Sequence, residues 1–206
     1  MGNSKQQSSL HKINEIFYSI QAEGYWAGTP AIFIRFAECN LRCDFCDTEF
    51  LSGIEMSIPE IIANIQDYPS KFVVLTGGEP LMNDTTDLVQ VLKDAEYYVA
   101  VETNGMYSAK HDLFDWITIS PKSDKLKLKK CNEIKVILGV DEYPDTYGIK
   151  ADHKFISPKN PTHNLPIGTH SALFFDVHVA QYCYRYVLKH PEWRLTLQTH
   201  KVIGVK

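Results

Sequence analysis

Little in this sequence points towards a membrane, a nucleic acid or an oxidising compartment. No apolar run approaches the roughly 20 residues that span a bilayer, and the opening MGNSKQQSSLHK lacks the apolar core of a secretory signal. Met1-Gly2 begins like a myristoylation signal, but Gln6 stands where that motif requires Ser or Thr. Residues 1–12 therefore read as a loose polar tail ahead of a single domain over residues 13–206. Charge of one sign is scarce as well. A formal net charge of −4 gives no general drive towards nucleic acid or lipid headgroups. The local exception, Lys125-Leu126-Lys127-Leu128-Lys129-Lys130, reads as a solvated loop, because no RNA-binding motif accompanies it. Cysteine is sparse too: there are five, three of them within Cys39–Cys46, which is not the framework of a disulfide-stapled secreted protein. A reducing cytoplasm fits this usage. Internal repeats and linker-like stretches are also missing. What remains is 206 residues, 44% hydrophobic and 12% aromatic, enough for one sizeable core.

Segments rich in β-branched and aromatic residues alternate with helical stretches. Ile13–Tyr18 reads as an edge element and Ala31–Phe36 as a buried strand. Ser57-Ile58-Pro59-Glu60 is a helix start, with Ser57 as N-cap, Pro59 in the first turn and Glu60 closing a capping box. That helix should reach about Asp67. Phe72–Thr76 is a further buried strand, and Thr85–Ala95 an amphipathic helix with Leu88, Val91 and Leu92 on one face. Tyr97–Val101, Trp116–Ser120, Glu133–Leu138 and Lys154–Ser157 read as short strands. His178–Leu188 reads as a helix and Arg194–Gln198 as a last strand. This order predicts an α/β fold with a mostly parallel sheet of about six strands, curled into a partial TIM-like barrel. It is too short for the complete eightfold barrel, which takes about 250 residues.

The chemistry concentrates in Cys39-Asn40-Leu41-Arg42-Cys43-Asp44-Phe45-Cys46, directly after the strand that ends at Phe36. Thiolates this close on a loop can converge on one metal centre. Three is the informative number, since a closed zinc site takes four protein ligands. A four-iron cluster held by three thiolates keeps one iron open, the C-x3-C-x2-C pattern of the radical S-adenosylmethionine enzymes. The residues alone also allow a zinc loop completed by Cys131 or a histidine, or thiols that ligate nothing.

In parallel α/β folds ligands gather at the carboxyl ends of the strands, and the unusual residues here lie at those ends. Thr76-Gly77-Gly78-Glu79-Pro80 follows one strand, and its paired glycines let backbone approach a ligand closely. Glu102-Thr103-Asn104-Gly105 follows the next, with a carboxylate that suits ribose hydroxyls. Ser120-Pro121-Lys122 follows a third, offering a hydroxyl and a cation. Each alone could equally be a turn.

The series Phe17-Tyr18-Ser19-Ile20-Gln21-Ala22-Glu23-Gly24, Gly28, Phe33-Ile34-Arg35, the cysteine loop with Cys46-Asp47-Thr48, TGGEP, ETNG, SPK and Leu197-Gln198-Thr199-His200-Lys201 resembles the 7-carboxy-7-deazaguanine synthases, small radical S-adenosylmethionine enzymes of the queuosine pathway. The resemblance runs over residues 13–206. It departs at Ala22 and Glu38, where the family has glycine; if either position has positive φ, a side chain there costs about 1 kcal/mol. The resemblance implies a [4Fe–4S] cluster on Cys39, Cys43 and Cys46. It implies S-adenosylmethionine held by Phe45, Gly77, Gly78, Glu79, Glu102, Thr103, Asn104, Ser120 and Lys122. A pterin substrate is implied at Ile20, Gln21, Ala22, Glu23, Gly24, Arg35, Thr76, Gly78 and His200, with Arg35 on its carboxylate and His200 closing the site. Magnesium is implied on Thr48 and, less directly, Asp47. It also implies a homodimer and an electron donor such as flavodoxin or ferredoxin. A radical activase acting on a partner protein would share the cysteine triad and GGEP, but has no reason to carry SIQAEG, Arg35 and QTHK together.

Overall fold

Runs such as Ala31–Phe36 and Phe72–Leu75 have apolar side chains at successive positions, so a strand made from them must be covered on both faces. The computed structural model describes residues 9–46, 48–159 and 176–206. In chain order the elements are β1 (Leu10–Ile20), β2 (Pro30–Phe36), β3 (Ile54–Ser57), α1 (Ile58–Ile65), β4 (Phe72–Gly77), α2 (Thr86–Asp94), β5 (Tyr98–Thr103), β6 (Trp116–Ile119), β7 (Lys130–Leu138), β8 (Lys150–Pro158), α3 (Val177–Lys189), β9 (Arg194–Leu195) and α4 (Thr199–Ile203). Nine strands form one sheet among the described residues, ordered β3-β1-β2-β4-β5-β6-β7-β8-β9. All pairings from β2 to β9 are parallel, and β1 is antiparallel to both β2 and β3. The sheet is open, with β3 and β9 at its edges, so the partial barrel and its mostly parallel character are as expected.

Several boundaries differ from the sequence reading. The sheet is wider than about six strands because every segment read as a strand joins it, the last only as Arg194–Leu195, and the unforeseen β3 adds another. The first strand is not an edge: β3 pairs with Leu10–Ile13 outside it. Those pairings take Leu10–Lys12 out of the expected tail, and residues 1–8 lie outside the described residues. The last strand stops at Leu195, and Thr199–Ile203 turns helical instead.

One face of the sheet carries Ile32, Ile34, Phe36, Val73, Leu75, Val99, Val101, Ile117 and Ile119, packed with Ile61 and Ile65 of α1, Leu88 and Leu92 of α2 and Cys183 of α3. Each such side chain contributes about 1.5–3 kcal/mol by leaving water. The α1 start is the predicted capping box: the Ser57 backbone N–H donates to Glu60 Oε2 at 2.7 Å and the Ser57 hydroxyl at 2.6 Å. One polar residue is lodged on this side. His11 is 2% exposed, lies edge-on to Phe36, and has no hydrogen-bond partner on either ring nitrogen.

The opposite face is graded. Ala31, Phe33, Phe72, Val74, Ala100 and Trp116 form an apolar layer with Phe17 and Trp26 towards the amino ends of the strands. Because side chains alternate with period two, the same face continues upward through Arg35, Thr76 and Glu102. Register then draws a polar row across the sheet: Glu15 opposite Arg35, Arg35 opposite Thr76, Glu102 opposite Thr118, Thr118 opposite Glu133, and Glu133 opposite His153. Thr76 and Glu102 join the two halves through a hydrogen bond of 3.0 Å. The candidate site sits above this row.

Candidate active site

The cysteine loop leaves the end of β2, and the Gly77-Gly78 segment runs directly beside it. Gly78 N–H donates to Phe36 C=O at 2.9 Å and Glu79 N–H to Glu38 C=O at 2.9 Å. A Cβ on Gly78 would lie 1.7 Å from the Glu38 carbonyl oxygen, and one on Gly77, at φ +111°, would lie 2.5 Å from the Phe36 carbonyl oxygen. Both glycines are thus required by the approach of two loops to each other, whatever ligand lies above them. Of the two positions where glycine was expected, only Glu38 has positive φ, at 70°. Its strain of about 1 kcal/mol is offset in part by the exposed Lys12–Glu38 pair at 2.7 Å, an interaction of about 0–1 kcal/mol.

Glu79 was expected to face a cofactor, but its carboxylate points inward. It is 1% exposed and accepts from Leu81 N–H at 3.1 Å, Thr103 Oγ1 at 2.6 Å and Asn104 N–H at 2.7 Å. Burial pushes its pKa up, against those three donors. Glu79 and Thr103 therefore brace the TGGEP loop against the ETNG loop, leaving backbone as what they can offer a ligand. Asn104 completes the assembly: its Nδ2 donates to Asn40 Oδ1 at 2.9 Å, tying ETNG to the cysteine loop. Ser120 joins from the third strand end, its N–H donating to Thr103 C=O at 2.8 Å.

The loop after β1 enters from the other side. Gln21, 9% exposed, donates from Nε2 to Glu102 at 3.0 Å and accepts from Glu23 N–H at 3.2 Å. Glu23 pairs with Lys135 at 2.8 Å, each side chain 12% exposed. Burial opposes the charge on Glu23, but Lys135, Gln198 and His200 hold its carboxyl below the usual range. Lys135 is likewise desolvated, yet Glu23, Glu102 and Glu133 keep it firmly protonated. Glu133 is 3% exposed and accepts from Tyr25 N–H at 2.9 Å. Burial lifts its pKa to about 7. Gly24 presses so close that a Cβ there would lie 2.1 Å from Glu133 Oε1, and its N–H donates to Thr196 Oγ1 at 2.7 Å. Neither Lys135 nor Glu133 was singled out from the sequence. The available signal was two charges of like spacing inside a strand that otherwise reads as buried.

The QTHK segment closes this side. Thr199 Oγ1 donates to Ala22 C=O at 2.9 Å, and His200 is near enough to Glu23 to help hold its charge. Ile20 ends β1, half-buried beside this loop. At the opposite rim Arg35 donates from Nε to Glu15 at 3.0 Å, and from Nη1 to Thr48 Oγ1 at 3.3 Å. Its guanidinium is thus already engaged on one edge by an ion pair. Asp47 lies outside the described residues.

The three loop thiols and the buried Cys131 and Cys183 are all free. Cys131 (1% exposed) and Cys183 (0% exposed) belong to the apolar core, so neither can serve as a fourth ligand beside the loop. Burial raises the Cys39 and Cys43 thiols, and the Lys122 ammonium opposes that shift at Cys43. Lys122 has a pKa lowered to about 8 by burial and by Lys135, and lies over the Phe45 ring at 5.1 Å. A trio of accessible thiols with a cation beside it is a donor set suited to an iron–sulfur cluster with one open iron.

The radical SAM superfamily matches this chain over residues 33–148. A 7-carboxy-7-deazaguanine synthase from Bacteroides thetaiotaomicron is 41% identical over 198 residues, covering 96% of this chain and 100% of that protein. The chain belongs to the 7-carboxy-7-deazaguanine synthase family. A 7-carboxy-7-deazaguanine synthase from Synechocystis is 36% identical, with 95% of this chain and 94% of that one covered. The fold of QueE from Escherichia coli superposes with a TM-score of 0.70 at 24% identity, covering 91% of this chain and 93% of that one. Membership of a radical SAM family brings a [4Fe–4S] cluster and S-adenosylmethionine as cofactors, with a small molecule as substrate. Among the described residues no helix is long and apolar enough to cross a membrane.

Proposed function

We propose that this chain converts 6-carboxy-5,6,7,8-tetrahydropterin to 7-carboxy-7-deazaguanine with release of ammonia, as a lyase of 7-deazapurine (queuosine) biosynthesis. When bound, the cluster and S-adenosylmethionine supply a 5′-deoxyadenosyl radical that takes a hydrogen atom from the pterin. Cys39, Cys43 and Cys46 hold the cluster. Phe45, the backbone of Gly77, Gly78, Glu79, Thr103 and Asn104, and the side chains of Glu102, Ser120 and Lys122 hold S-adenosylmethionine. Arg35, steadied by Glu15 on its Nε edge, presents its remaining N–H groups to the pterin carboxylate. Ile20 to Gly24, with Thr76 and Gly78 opposite, bind the pterin edge, and His200 closes the pocket.

Thr48 Oγ1 would hold a magnesium ion that assists the reaction, and Asp47 would serve it as a further ligand or by hydrogen bonding to its ligands. Magnesium takes most of its ligands from water and substrate, so one or two protein oxygens suffice. The enzyme works in the cytoplasm as a homodimer of single-domain subunits, and draws electrons from a flavodoxin or ferredoxin.

The observation that carries this reading is the polar row beneath three linked loops, with a cysteine triad on one side and Glu23–Lys135 on the other. The test is an anaerobic assay of the iron-reconstituted protein with S-adenosylmethionine, a reductant, magnesium and 6-carboxytetrahydropterin, with products read by mass. Formation of 7-carboxy-7-deazaguanine with 5′-deoxyadenosine is expected. Deoxyadenosine without the deazaguanine would assign Gln21, Arg35 and His200 to another substrate.

A further inference from the structure

We propose that the exposed lysines of the β6–β7 connection, Lys125, Lys127, Lys129 and Lys130, together with Lys150, form the docking surface for an acidic one-electron carrier protein. The inference rests on the radical chemistry above, which needs an electron from outside. The connection carries no helix. Leu126 and Leu128, 8% and 7% exposed, anchor it in the core, and the N–H groups of Lys127 and Leu128 both donate to Gly105 C=O, at 2.9 and 3.1 Å. That alternation turns every lysine of the stretch outward. Lys130 sits directly opposite Lys150 in the β7–β8 register, and both are exposed. Like charges so placed repel.

Among the described residues none of these five lysines forms an ion pair with a carboxylate. Lys127 lies over the Tyr107 ring at 5.9 Å, and Lys129 Nζ donates to Tyr147 C=O at 3.2 Å. The one acidic residue within the stretch is Asp124, exposed at its start. A chain of net charge −4 thus carries a positive stripe with no carboxylate partner among the described residues, and complementary charge of this kind steers and orients a partner.

Position selects the partner. Asn40, inside the cysteine loop, donates to Met106 Sδ at 3.2 Å; Ser123 Oγ contacts the same sulfur at 4.0 Å, and Lys125 N–H donates to Ser123 Oγ at 3.3 Å. The upper end of the stripe is therefore joined through two residues to the loop that holds the cluster. A docked carrier loses one electron there and the cluster gains it, with no bond or proton changed at the interface.

The probe is an acidic flavodoxin, titrated calorimetrically into the reconstituted holoenzyme and then used in reduced form to drive turnover. K125E/K127E/K129E should weaken flavodoxin binding and raise its KM by about tenfold or more, while the dithionite-driven rate stays within about twofold of wild type. Wild-type binding should weaken with added salt, and that of the variant should not. Unchanged flavodoxin affinity in the variant would overturn the proposal. So would binding of tRNA in a mobility shift that the variant loses while its flavodoxin-driven rate is retained. If charge reversal lowers the dithionite rate as well, K125Q/K127Q/K129Q decides by the same comparison of affinities. A wild-type holoenzyme that makes no product with dithionite refutes the proposed function instead, and the titration still decides the docking surface.

Discussion

Replacing Lys135 by methionine keeps the length of the side chain and removes the ammonium on which Glu23 rests. The Glu23–Lys135 pair is 2.8 Å long, with each side chain only 12% exposed. Removing one partner of a fully buried pair costs about 3–5 kcal/mol, because the other charge is left desolvated. The residual exposure places the expected loss near 3 kcal/mol at pH 7.5. In a chain of this size that corresponds to a fall in Tm of roughly 6–12 °C. The loss has a chemical escape: Glu23 can take a proton, so the penalty should shrink as pH falls. Glu102 and Glu133, which also lean on Lys135, add repulsion in the same direction. The assay is anaerobic thermal denaturation of wild type, K135M, E23Q and the double variant at pH 7.5 and 5.5. K135M should be strongly destabilised at the higher pH and less so at the lower, and E23Q/K135M should regain most of the loss. A deficit below about 1 kcal/mol, or no rescue by Glu23→Gln, would refute the account of this cluster as mutually compensating charges.

Cys43→Ala should abolish cluster assembly, read by iron content and visible absorbance, and with it S-adenosylmethionine cleavage; retained cleavage would contradict the triad. His11 has its pKa lowered by burial, with Asp84 and Asp87 opposing. The native chain therefore resists the proton that the unfolded chain accepts below about pH 6.5, and stability is lost as pH falls from there. Against His11→Leu, wild type should lose up to about 1.4 kcal/mol per pH unit in urea melts between pH 6.5 and 5.5. Glu133 has the opposite sign: with its pKa raised from 4.5 to about 7, its contribution is full below the lower value and lost as pH rises through the upper. Wild type should lose about 3 kcal/mol relative to Glu133→Gln between pH 4.5 and 8, and parallel curves would refute the assignment.

The parts of this fold legible in the sequence were those where one signal dominates. Ser57-Ile58-Pro59-Glu60 carried its own capping chemistry, and Phe72–Leu75 could only be a buried strand. The short β3 was not legible, because Ile54–Ser57 has three of its four residues outside the core and owes its strand state to pairing with β1. Arg194–Gln198 alternates like a strand, but only Arg194 and Leu195 pair with β8, and Thr199, bonded to the Ala22 carbonyl, opens a helix just beyond. Among site residues, the loops could be located because their chemistry clusters in sequence. The direction of individual side chains could not. Glu79 reads the same whether it faces a ligand or braces Thr103 and Asn104, and Lys135 acquires meaning only when Glu23, 112 positions earlier in the same sequence, lies beside it.

The hydrogen bond from Thr199 to Ala22 spans 177 positions, and this bears on the order in which the protein is made. Synthesis runs from the amino end, so the Gln21–Thr29 loop is among the first parts of the described structure to leave the ribosome. All strands through β8 can be paired while the carbonyl of Ala22 still lacks this donor. Once β9 docks on β8, Thr199 is tethered only a few residues away, and the entropic cost of closing the ring becomes small. The Gln21–Thr29 loop, among the first parts made, thus gains this bond only after the last strand is in place, so the two ends of the described chain are joined late rather than early.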